Sequence, residues 1–126
     1  MAGRLVVNTL NTDTVGAVLT TQNGITGIPK AWVNFAGADG TRNSSFNVSS
    51  VTRSATGTYT VNFTTAMADA NYAVGGFARN SGGTGRQIVC QTSASTAYST
   101  TQLGVIVGDS GGLNDVTSVS IIVCGS

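Results

Sequence analysis

The chain has 126 residues, 40% of them hydrophobic and 9% charged, with a net charge of +1, no histidine, 17 glycines and one proline. This apolar share supports one folded domain and excludes a disordered chain. The few scattered cations exclude the basic footprint of a nucleic-acid binder, and the missing histidine excludes Ser-His-Asp and Cys-His catalysis and any His-containing zinc site.

Residues 1–29 read as an extended arm. Asn8, Asn11 and Asp13 break up the apolar run near the N-terminus, so a signal-peptide core fails and synthesis in a cytoplasm without export by that route is expected. No stretch approaches the ~20 apolar residues of a membrane helix. The arm holds two short β-like runs, residues 4–10 and 14–21, then the turn pair Asn23-Gly24 and, at its end, Pro29. It has too little apolar area to fold alone and is expected to pair with the body or with a neighbouring chain.

Residues 30–126 form the body. Over residues 30–37, Ala31, Val33 and Phe35 alternate with Trp32 and Asn34, the period-two mark of a strand with one buried face. Phe46, Val48 and Val51 suggest a second strand. A turn at residues 54–57 leads to a third, where Tyr59, Val61 and Phe63 alternate with Thr58, Thr60, Asn62 and Thr64. One helical turn is conceivable over residues 64–70. Strands are then expected over 71–79, with Tyr72 and Val74 on one side, over 86–93, 98–109 and 115–126, joined by the glycine-rich loops 80–85 and 110–114. The whole predicts an all-β fold: an antiparallel β-sandwich of about seven strands with an extended N-terminal arm.

Ile106 and Ile122 occupy positions where a sheet with one wet face would carry Ser or Thr. They predict that the sheet holding the last two long strands is covered on both faces, by another subunit or by the arm. Trp32, the only tryptophan, is an interface anchor or a sugar-stacking platform. Trp32, Ile106 and Ile122 are therefore the candidate oligomer interface, and the low net charge offers little repulsion against self-association.

Other chemistry is sparse. Asp109 and Asp115 flank one predicted hairpin and could form a carboxylate pair for glycoside cleavage, or with Asn114 hold Ca²⁺; as turn residues they more simply bond their own backbone. The run Gly82 to Arg86 lacks the lysine and helix of a phosphate loop. Cys90 and Cys124 are expected as free, partly buried thiols. The Asn-x-Ser/Thr triplets at Asn43, Asn47 and Asn62 arise by chance in a chain about one quarter Ser and Thr. No cofactor, metal or enzyme activity is expected.

The blocks Gly27 to Val33, Asn47 to Ser50, Gly57 to Phe63 and Asp69 to Tyr72 occur in order with short spacers. In that combination the chain resembles the tail-fibre and receptor-binding tip domains of tailed bacteriophages and prophages. The resemblance covers most of residues 22–78. It implies a trimeric β-sandwich on the virion that adheres to host surface polysaccharide and joins other virion proteins. In such fibres a longer stalk precedes this block, whereas here only the arm does. A capsid decoration or cement protein on the head is the alternative, and a surface-polysaccharide depolymerase a second one. If successive strands alternate in direction, turns 54–57, 80–85 and 110–114 share one end, and turns 37–42, 65–70 and 94–97 share the other with the C-terminus. The arm then enters at the first end. Conformable loops at that first end place Arg79, Asn80, Arg86, Asp109 and Asn114 as candidate receptor contacts.

Overall fold

A computed structural model describes residues 28–81, 87–89, 98–109 and 111–125. The arm up to residue 27, the loop carrying Arg86, Cys90 and the turn 94–97 lie outside the described residues. The strands are β1 (Ala31–Ala36), β2 (Arg42–Phe46), β3 (Val48–Ala55), β4 (Thr58–Phe63), β5 (Ala73–Arg79), β6 (Gln87–Val89), β7 (Gln102–Asp109), β8 (Gly112–Leu113) and β9 (Ser118–Cys124). They form two antiparallel sheets facing each other as a sandwich. Sheet A runs β2-β1-β9-β5. Sheet B runs β3-β4-β7-β6, with β8 paired to the end of β7.

Alternation builds the core as expected. Ala31, Val33 and Phe35 of β1 and Val119, Ile121 and Val123 of β9 point inward from sheet A. Tyr59, Val61 and Phe63 of β4 and Leu103, Val105 and Val107 of β7 meet them from sheet B. Phe35 packs edge-on to Tyr59 with ring centroids 5.1 Å apart, and Phe63 edge-on to Tyr72 at 5.8 Å. Among the described residues no polar or charged side chain is buried.

The strand expected around Phe46 and Val48 is two strands in different sheets. Asn47 sits at φ 54°, a left-handed conformation that Asn tolerates better than most residues. It turns the chain out of β2 and into β3, so Phe46 faces outward while Val48 is buried. The Asn47 side chain fastens the corner. Its Nδ2 donates to the Lys30 carbonyl at 3.0 Å and the Thr65 carbonyl at 3.1 Å, and its Oδ1 accepts from the Thr65 amide at 2.7 Å. Arg42 adds a bond from its guanidinium to the Val48 carbonyl.

This extra strand reverses the direction of everything upstream of it. The turn after β1 lies at the same end as the turns 54–57 and 111–117, not at the opposite one: the Gly37 carbonyl accepts from the Tyr59 hydroxyl at 2.6 Å, and Gly37 lies against Val116. The chain enters β1 at the other end, where the Lys30 amide donates to the Val123 carbonyl at 2.8 Å. That end also holds residues 64–72 and Gly125, which packs on Tyr72. Residues 64–70 form no helical turn; the buried Met67 plugs the sandwich there, its amide donating to the Thr100 carbonyl at 2.7 Å.

Asn47→Ala loses both the side-chain bonds and the tolerance for positive φ, and is expected to cost about 2–3 kcal/mol in urea unfolding. Asn47→Gly restores only the backbone freedom and should fall between Ala and the unchanged chain. Equal losses for the two variants would show that backbone conformation contributes nothing at this corner.

Candidate functional site

The end opposite the start of β1 gathers four connections: residues 37–41, 55–58, 80–81 and 111–117. One ionic hub joins the first, second and fourth of them. The Arg53 guanidinium on β3 makes a two-pronged contact with Asp115, Nε to Oδ1 at 3.0 Å and Nη2 to Oδ2 at 2.6 Å. Asp115 Oδ1 also accepts from the Gly57 amide at 2.9 Å and the Tyr59 hydroxyl at 3.1 Å. The single Tyr59 hydroxyl proton is thus shared between Asp115 and the Gly37 carbonyl, tying the first turn to the last. Gly57 fits only as glycine: its φ is +63° and a Cβ would lie 2.4 Å from the Val107 carbonyl oxygen.

The hub sets its own protonation. Arg53, then the Gly57 amide, and more weakly the Tyr59 hydroxyl, hold the Asp115 carboxyl down at about 2. Burial, reinforced by the neighbouring carboxylate, pushes the Tyr59 phenol above its ordinary range. Asp115 is therefore an ionised acceptor at neutral pH and a structural clamp.

The candidate receptor contacts divide. Asp109 and Asn114 meet across the β7–β8 turn: Asp109 Oδ1 accepts from the Gly111 amide at 2.9 Å and from Asn114 Nδ2 at 3.3 Å. Arg79 is exposed at the end of β5 in register with Ser118, and the half-buried Asn80 follows it. The Ser81 amide donates to Thr117 Oγ1 at 3.0 Å, which brings this strand end to the same connection that carries Asp115. Arg79, Asn80, Asp109 and Asn114 thus share one end of the sandwich. Arg86 lies outside the described residues. The carboxylate pair is not formed, because Asp115 is committed to Arg53 while Asp109 caps its own turn. Among the described residues no three metal-ligating side chains converge, and no helix is long and apolar enough to cross a membrane.

The candidate interface residues also divide. Trp32 and Ile122 are cross-strand partners on the outer face of sheet A, 39% and 43% exposed. Ile106 does not join them. The last two long strands belong to different sheets, and Ile106 lies in sheet B opposite Thr58, half-buried on the other outer face. Phe46 and Phe77, 54% and 84% exposed, complete the apolar face of sheet A and were not singled out by sequence. Phe77 was legible: it has the opposite parity to Tyr72 and Val74 along β5. The pairing of Arg53 with Asp115 spans 62 positions and leaves no local trace. Cys124 is a free, half-buried thiol, as expected; Cys90 lies outside the described residues.

Because the Asp115 carboxyl is lowered in the fold, its contribution is present above the ordinary carboxyl value of 3.8 and is lost as pH falls through about 2. Discounted for partial exposure, it is worth about 1–2 kcal/mol. Asp115→Asn is expected to lower stability at pH 7 by at least that amount and to lose less than the unchanged chain between pH 4 and pH 2, as read by chemical unfolding at fixed pH. Parallel pH curves for the two proteins would rule the clamp out.

No family model, no curated protein and no solved structure matches this chain.

Proposed function

We propose that the chain is a structural protein of a tailed-phage virion, a tail-fibre or receptor-binding tip that adheres to host surface glycans as a homo-oligomer. The observation that carries this reading is the separation of the two ends. The chain enters β1 at one end, and Arg79, Asn80, Asp109 and Asn114 lie at the other. Attachment through the N-terminal side therefore leaves these turns facing outward. The Arg53–Asp115 hub gives them a stiff base, which lowers the ordering cost of binding. Their short neutral donors and acceptors match sugar hydroxyls without heavy desolvation. Single sites of this kind are weak, and multiple copies on a fibre and a particle raise avidity.

The outer face of sheet A also favours a second reading, a decoration or cement protein packed side by side on the head, since a broad apolar sheet suits lateral contact. Imaging of labelled particles separates the two by position, at the tail or over the head.

Purified chain is expected to bind envelope polysaccharide from a permissive host and to block adsorption. The combined Arg79→Ala, Asn80→Ala and Asn114→Ala variant should weaken that binding by about 10-fold or more, avidity multiplying a small loss per site. Binding that the variant leaves unchanged removes the turn end from the contact surface, and a chain that binds no permissive envelope removes the adhesive reading.

A further inference from the structure

The outer face of sheet A has a pattern that solvent does not explain. Register places Phe46, Trp32, Ile122 and Gly75 side by side across β2, β1, β9 and β5. The next row is Ser44, Asn34, Ser120 and Phe77. Three large apolar side chains thus stand abreast on three neighbouring strands, with Phe77 at their flank. The corresponding rows of sheet B are Ser50 with Asn62 and Thr52 with Thr60, polar as a wet face should be, and its outward Ile106 is half-buried opposite Thr58.

Next to this row the surface is hollow. Gly75 presents no side chain on this face, and a trough of about 320 Å³, lined also by the Gly76 backbone, runs between Trp32, Ile122 and Phe77. A Cβ at Gly75 would stand 3.4 Å from Ile122 Cγ2, in ordinary contact, so packing within the chain does not demand glycine there. The same face therefore carries an aromatic knob, Phe77, and a trough open beside it.

We infer that this face binds a second copy of the chain, Phe77 of each copy seating in the trough over Gly75 and Gly76 of its neighbour. Three observations select a copy as the occupant. Knob and trough lie on one surface, the self-complementarity that closed symmetric contacts require. The two rows contain no charged residue, and a chain of net charge +1 repels itself little. The exposed parts of Phe46, Trp32, Ile122 and Phe77 amount to on the order of 400 Å² of apolar surface. That is about half of the ~800 Å² per partner of a standard interface, and interfaces of that class are a little over half apolar. Asn34, Ser44 and Ser120 supply the polar remainder; Asn34 is already ordered by bonds to Ser120 Oγ at 2.8 Å and from Asn43 Nδ2 at 2.7 Å. The contact rests on the homo-oligomer of the proposed function and supplies its interface, while adhesion by the turn end is tested separately by the glycan-binding variants.

The full chain is weighed by light scattering across a dilution series while the emission of Trp32, its only tryptophan, is followed. A mass of more than one chain at high concentration is expected, falling to one chain on dilution with a red shift of Trp32. Phe77→Ser with Ile122→Thr should give single chains at all concentrations, with unchanged far-ultraviolet circular dichroism. Ile106→Thr, on the opposite face, should keep the assembly. Single chains whose Trp32 emission ignores concentration would overturn the inference and, if that emission is blue, would place the chain's own residues 1–27 on the face. An assembly that survives the double substitution would overturn it as well.

Discussion

The sandwich depends on the corner at Asn47. Two sheets can share one core only if the chain crosses between them, and the first crossing is made in a single residue with left-handed backbone. A β-branched residue there would strain, and a glycine would leave the corner unfastened. Asn47 meets both needs: it accepts the positive φ, and its amide bridges the start of β1 and the segment after β4. The consequence reaches the far end of the molecule. Because the crossing adds a strand, the turn at residues 37–41 is carried to the end where Tyr59 can hold Gly37 and where Asp115 can hold Tyr59.

The two ends are stabilised by different physics. At the Asn47 end the closures are neutral and apolar: Met67 and Tyr72 plug the gap between sheets, with the Tyr98 ring tilted against Tyr72. At the turn end the closure is ionic, and a single carboxylate takes bonds from a guanidinium, a backbone amide and a phenol. A half-exposed ion pair standing alone adds little. Here its value lies in geometry, since one side chain fixes three connections.

Much of the fold was legible because period two is a strong signal when one face is dry. The strands at Ala31–Ala36, Thr58–Phe63, Gln102–Asp109 and Ser118–Cys124 follow from alternation alone. The corner was not legible, because Phe46 and Val48 keep the right spacing for one strand and nothing local says that their backbone frames differ. From that one residue came the error in parity, the misplaced turn at 37–41 and the misplaced start of β1. Ile106 and Ile122 were rightly seen as anomalous outward residues but wrongly put in one sheet, since their strands are consecutive among the long ones and consecutive strands usually pair. Here the connection through residues 111–117 passes from sheet B to sheet A. Within the candidate site, Asp109 and Asn114 could be paired by their closeness in sequence, whereas Arg53 and Asp115 meet only through the tertiary fold.

The contrast between the two outer faces is what alternation permits and does not dictate. Inward positions of both sheets are apolar because the core requires it. Outward positions are free, and they diverge: sheet B carries Ser50, Thr52, Thr60, Asn62 and Gln102 in cross-strand rows, with Asn62 Nδ2 bonded to Ser50 Oγ at 3.0 Å, whereas sheet A carries Phe46, Trp32, Ile122 and Phe77. Core packing cannot account for the second set, since those side chains point away from it. Nor does strand propensity alone, because Thr serves β4 as well on the wet face as an aromatic would. The difference between the faces therefore lies outside the requirements of the core and of the strands. A largely polar face, two ends of unlike construction and an apolar face make the surfaces of this small body distinct, all set by side chains that the core leaves unconstrained; attachment and self-association are the uses we propose for two of them.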